Sequence, residues 1–157
     1  MLEQFAKTLN IENTGGRGFI VSHKNFDGGK NMDNYYNTGL NESLTITGLS
    51  NNASIRLTFL FFQLQNVCST GEQSCCDDYV EIYSIREYAV SKRTFCGYEN
   101  LTNKVIDVYP ISNELTITFI TRSNQGSAGF LIKYEGNLKL ILNHHFFHIA
   151  ICNKMLV

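Results

Sequence analysis

An antiparallel β-sandwich, all-β and folded as a single domain, is what this sequence predicts. Three observations carry the expectation. Short runs alternate apolar and polar residues with the period of a half-buried strand. Turn residues separate those runs, and the chain holds a single proline. Eight tyrosines and eleven phenylalanines, with frequent Thr, Ile and Leu, suit a pleated sheet. Before residue 137 no helical period outlasts a turn or two, and no solenoid-length repeat appears. At 157 residues the chain fits one domain with a sizeable core.

Taken in order, residues 1–14 read as a lead-in, expected as a short helix with Leu2, Phe5 and Leu9 on one face. Gly15 and Gly16 end it, and residues 18–22 make a first strand. Residues 23–40 turn to Asn, Gly, Asp and Lys, the composition of an irregular loop. Residues 43–47 alternate as a strand, and a turn follows at 48–52. Residues 54–63 give the strongest signal. There Ile55, Leu57, Phe59 and Phe61 share the face that belongs in the core. Arg56, Thr58, Leu60 and Phe62 share the other, whose apolar far end is expected to lie under a loop.

Residues 66–74 form a polar loop, 78–84 a strand and 104–109 another, with a polar connection running from the first of these strands to the Thr-Phe-Cys-Gly at 94–97. Residues 113–121 put Leu115, Ile117 and Phe119 on one face, and 128–135 put Phe130, Ile132 and Tyr134 together. The domain is therefore expected to span 15–136. Residues 137–157 change to a tail of His, Leu and Ile, expected to stand outside the fold. Polar interruptions from Asn143 to Asn153 make it too broken to span a bilayer.

Composition excludes several functions. A net charge of -1, with scattered Lys and Arg, gives no electrostatic case for nucleic acid or an anionic membrane. Hydrolase, metalloprotease and phosphate-loop motifs are absent, so catalysis is not expected. His23, the one histidine ahead of the tail, sits in a loop and is expected to be solvated. His144, His148 and Cys152 would share a helix face, but a fourth ligand and a frame are lacking, so neither a metal nor another cofactor is expected.

Five cysteines, three of them at 68, 75 and 76, suit an oxidising compartment. Asn41, Asn52 and Asn100 each begin a glycosylation tripeptide. Residues 1–13 carry charges at Glu3, Lys7 and Glu12 and lack the apolar run of a signal peptide, so an incomplete chain is expected.

The most informative stretch reads Cys-Cys-Asp-Asp-Tyr-Val-Glu-Ile-Tyr at 75–83, then Thr-Phe-Cys-Gly at 94–97. Together with Gly-Phe-x-x-x-Tyr at 129–134, Gly-Phe-Ile-Val-Ser at 18–22 and Ile-Arg-Leu-Thr-Phe at 55–59, it resembles the CUB domain. That family is an extracellular β-sandwich of jelly-roll type used for recognition. The resemblance implies a secreted or cell-surface module that binds a protein or a glycan. The alternative it leaves open is a regulatory or targeting module of a larger secreted protease.

By the family pattern Cys75 pairs with Cys96. Neighbouring strand residues point to opposite faces, so Cys75 and Cys76 should have different partners; of three possible pairings Cys75–Cys96 with Cys68–Cys76 is expected, the alternative being that Cys76 stays a small buried thiol. The family's second bridge has no counterpart, because no cysteine precedes Cys68. Many CUB domains also hold calcium with a Tyr, a Glu and two Asp. Carried over, these positions are Tyr35 or Tyr36, Gln65, Asp78 and Arg122. One carboxylate beside a cation is a poor calcium site. Tyr36, Gln65, Asp78 and Arg122 are therefore read as binding-loop residues without a metal, with Arg122 expected to pair with Asp78.

Overall fold

Alternating runs become strands that each bury one face. The computed structural model describes residues 2–3, 7–10, 16–47, 54–65, 75–86, 89–97, 101, 103–108 and 114–137. Within them lie β1 (Leu2–Glu3), β2 (Lys7–Asn10), β3 (Arg17–Val21), β4 (Asn41–Thr47) and β5 (Ser54–Gln63). These are followed by β6 (Tyr79–Arg86), β7 (Ala89–Cys96), β8 (Val105–Val108), β9 (Leu115–Ile120) and β10 (Gly129–Asn137). No α-helix occurs among the described residues; a short 3-10 turn spans Met32–Asn34.

Two five-stranded sheets result, in the orders β1-β3-β10-β5-β8 and β2-β4-β9-β6-β7. From β3 onward the chain changes sheet at every connection except β6 to β7, which pair directly. Such crossing places the apolar faces of both sheets against each other. Leu44, Ile46, Leu115, Ile117 and Phe119 of one sheet and Ile55, Leu57, Phe59, Phe130 and Ile132 of the other have no exposed surface. Phe119 meets Phe130 edge-on across the gap at 5.1 Å, and Phe59 meets Phe95 at 5.0 Å. Each such pair is worth about 0.5–1.5 kcal/mol beyond the area it buries. The β3–β10 pairing explains one glycine: a Cβ on Gly18 would stand 2.5 Å from the Tyr134 hydroxyl.

Four expectations are corrected. The described parts of the lead-in are strands, not a helix: β1 and β2 add in parallel to β3 and β4 at the sheet edges. Unpaired edge N–H and C=O groups outcompete a helix of a few turns, which is marginal in water. Second, the polar connection after β6 holds a strand, β7, whose Ser91, Lys92, Arg93 and Thr94 suit an edge. Third, register shifts where β10 passes from Leu131 to Ile132, so that Leu60 is an extra residue in β5. That bulge reverses the later phase: Phe62 and Leu64 are buried, while Phe61 faces outward under Phe26 of the loop after β3, rings 5.4 Å apart. Fourth, β10 runs on through Asn137, one residue into the expected tail. The tail beyond it, with His144, His148 and Cys152, lies outside the described residues.

Candidate functional site

Asn41 at the start of β4, Ile120 at the end of β9 and Tyr79 at the start of β6 lie in one row across a sheet. Asp78, just before β6, is thereby set at the end of the sandwich where three loops gather. Its side chain has no exposed surface. Oδ1 accepts the backbone N–H groups of Arg122 at 2.7 Å and Ser123 at 2.9 Å. Oδ2 accepts the Tyr36 hydroxyl at 2.7 Å and lies 2.5 Å from the Ser123 hydroxyl, which also reaches the Gln125 carbonyl at 2.7 Å. Tyr36 Oη in turn accepts the Gln65 N–H at 2.9 Å, and the Asp78 N–H donates to the Gln65 carbonyl at 3.2 Å. One aspartate thus ties together the loops after β3, β5 and β9, the first and last through its carboxylate and the second through its backbone N–H. Burying the carboxylate without partners would cost several kcal/mol, on the order of what a small domain has to spare.

The loop after β3 arrives at Tyr36 already folded. Asp27 Oδ1 accepts the N–H groups of Gly29 and Lys30, and Oδ2 accepts the Asn34 side-chain amide at 2.9 Å. These bonds, the Asn34 amide foremost, hold the Asp27 carboxyl below its ordinary pKa. His23 is not solvated as expected. Its Nε2 donates to the Asn34 carbonyl at 2.5 Å, and Nδ1 lies 2.7 Å from the Ser22 hydroxyl. Burial lowers the His23 pKa below 6.5, against the opposing pull of the Asn34 carbonyl and Asp27. The Ser22–His23 contact is structural: Ser22 is buried, and its Oγ accepts the Phe130 N–H.

Gly126 brings the loop after β9 onto this frame, since a Cβ there would collide with the Tyr36 carbonyl oxygen. The Tyr36 N–H donates to the Ser127 carbonyl at 3.2 Å beside it. On the outer side lies an open cleft of about 370 Å³, lined by Gln65, Asp77, Arg122, Ser123, Asn124 and Gln125. The expected Arg122–Asp78 pair takes an unexpected form. Only the Arg122 backbone meets Asp78; the guanidinium lies 5.5 Å above the Tyr79 ring and donates to the Tyr79 hydroxyl at 3.3 Å. Ser123 and Gly126 were missed in the sequence, where the run Ser-Asn-Gln-Gly after β9 is their only signal.

The residues at the positions implied for calcium do not fit that ion. Asp78 has its lone pairs taken by protein donors, Gln65 brings no charge and Arg122 brings a positive one. Among the described residues no group of three or more His, Cys, Asp and Glu is placed to hold a metal.

A disulfide joins Cys75 to Cys96 and pins the approach to Asp78 against the end of β7, where Cys96 faces Tyr79. Cys76 is also disulfide-bonded; Cys68, its expected partner, lies outside the described residues. Asn41 is exposed, whereas Asn52 and Asn100 fall outside the described residues. No helix among the described residues is long and apolar enough to cross a membrane.

Fold and site together define a disulfide-bonded β-sandwich that holds a rim of loops around a polar cleft. The family model for the CUB domain matches residues 20–134, and the chain belongs to the CUB family. CUB domains are protein-interaction modules, generally non-catalytic and typically extracellular. Among solved structures, the full extracellular region of zebrafish Gpr126/Adgrg6 is similar with a TM-score of 0.61 and 18% identity. That match covers 83% of this chain and 14% of that one. The CUB1-EGF-CUB2 domains of rat MASP-1 match at 0.59 and 22% identity, over 85% of this chain and 42% of that one. The MASP-1 CUB2 domain bound to Ca2+ matches at 0.53 and 20% identity, over 76% of this chain and 92% of that one. At these identities the likeness is one of fold, and the chain spans less than half of the first two structures. A comparison with curated protein sequences gives no match.

Proposed function

We propose that this chain is an extracellular, non-catalytic domain that binds another protein through the loop rim around Asp78. One observation carries the reading: a single buried aspartate, through its carboxylate and its backbone N–H, cross-ties three loops from separate strands, leaving an open polar cleft on their outer side. Loops fixed in this way present a preformed surface and lose little entropy on binding. The family's role in protein interaction supports it. Two described disulfide-bonded positions before β6 and an exposed Asn41 suit secretion and glycosylation.

The test is a binding screen of the full chain, expressed through the secretory pathway, against a panel of extracellular proteins. Each positive is repeated with Asn124→Trp, which fills the cleft, and with Arg56→Ala, on an exposed ion pair with Asp107 towards the far end of the sandwich. The expected result is a partner lost with Asn124→Trp and kept with Arg56→Ala. A partner that ignores Asn124→Trp binds elsewhere and overturns the reading.

A further inference from the structure

Arg122 is the cation of the cleft, and its surroundings single it out. The guanidinium is exposed and braced: it lies over the Tyr79 ring and spends one N–H on the Tyr79 hydroxyl. An arginine held over an aromatic ring and hydrogen-bonded to its hydroxyl has lost part of its rotamer freedom before it meets a ligand. No carboxylate among the described residues forms a salt bridge with it. Asp78 is saturated by other donors, and Asp77, the acid of the cleft, is engaged with another partner. A fork of remaining donors therefore faces solvent, with the amides of Asn124, Gln125 and Gln65 around the same cleft.

We infer that this cleft binds an acidic side chain of a protein partner, with Arg122 as the receptor for its carboxylate. The inference rests on the proposed use of the loop rim. A planar guanidinium matches a carboxylate through two parallel N–H bonds, a geometry that a lysine ammonium does not offer. Side-chain amides beside it pair with peptide groups, both donor and acceptor. A sugar ring is the poorer occupant, because the Tyr79 face on which it would stack is covered by Arg122 itself.

The Asp78 clamp uses only the backbone of residue 122, so the side chain is replaceable without opening the loops. The experiment is an NMR titration of the isotope-labelled full chain with three probes: a blocked Glu-Glu dipeptide, a blocked Lys-Lys dipeptide and a sialylated trisaccharide. The acidic dipeptide should shift the Arg122 side chain and the amides of Ser123, Asn124 and Gln125, an effect weakened by salt. Arg122→Ala should lower its affinity about tenfold or more, and Arg122→Lys less. The Lys-Lys probe should leave these signals unmoved. No shift with the acidic dipeptide, a shift that persists in Arg122→Ala, or shifts with the trisaccharide alone would each overturn the inference. A partner from the screen lost with Asn124→Trp but indifferent to Arg122→Ala overturns this inference and leaves the loop-rim reading standing. Titration at Arg122 with a partner bound elsewhere does the reverse.

Discussion

Replacing Asp78 with alanine removes the acceptor shared by the loops after β3 and β9, and the structure sets the size of the loss. The Tyr36 hydroxyl is stranded, because Tyr36 is only 2% exposed and its ring is held edge-on against Phe119 at 5.1 Å. The Ser123 hydroxyl can turn fully to the Gln125 carbonyl, so it loses little. The N–H groups of Arg122 and Ser123 border the open cleft, where water can replace part of what they lose. A buried donor left unsatisfied costs about 1–3 kcal/mol, so one stranded donor and two partly rehydrated ones give a loss of about 2–5 kcal/mol. Asp78→Asn keeps one acceptor oxygen for the two N–H groups and offers its amide to Tyr36, so it should cost about 1–2 kcal/mol. Urea denaturation of wild type and both variants measures this, with an unchanged m-value as the sign that one folded state is compared. The same melts with millimolar calcium and with chelator should coincide for wild type. A loss below about 0.5 kcal/mol for Asp78→Ala, far under the cost of a stranded donor, would refute the clamp. Stabilisation by calcium that Asp78→Ala abolishes would refute the assignment of its lone pairs.

Three further outcomes are expected. Replacing Cys75 and Cys96 together by serine should destabilise the fold by about 3 kcal/mol, given the 21-residue separation, as read by thermal or urea melts without reductant. His23 has its pKa lowered in the fold, so the unfolded chain binds the extra proton: stability should be full above about pH 6.5 and fall as pH drops through the lower folded value. Comparing denaturation of wild type and His23→Gln near about pH 7.5 and about pH 5.5 checks it, and an equal slope in both would assign the effect to other groups. Gly126→Ala should cost about 1–3 kcal/mol and shift the Tyr36 and Ser127 amide signals, because its methyl meets backbone rather than a side chain that can move.

What the sequence made legible follows from how each element is stabilised. Strands buried on one face declare themselves, as in Leu115–Ile120, where the buried and half-buried residues alternate without a break. Edge strand β7 carries Ser91, Lys92, Arg93 and Thr94 because an edge needs solvation more than burial, so its pairing is invisible to periodicity. The bulge at Leu60 hid for the opposite reason: the stretch from 59 to 62 is apolar at every position, so either phase satisfies the pattern. Only the partner strand decides it. The lead-in failed because two strands of two and four residues have no stability of their own and exist through the edges they join.

At the loop end, residue type indicated the right places but the wrong atoms. Tyr36, Gln65, Asp78 and Arg122 do come together, yet Gln65 takes part in the clamp through its N–H and carbonyl, and Arg122 through its N–H. Backbone groups are the same in every residue but proline, so the clamp holds whatever side chain stands at 65 or 122. That separates two requirements that a metal site combines. Calcium would need anionic side chains at those positions both to fix the loops and to shape the surface. Here Asp78, Tyr36 and Ser123 fix the loops, and the side chains at 65 and 122 are left to face the cleft. The chemistry of the rim can then change, even from a carboxylate to a guanidinium, at little cost to the fold that presents it.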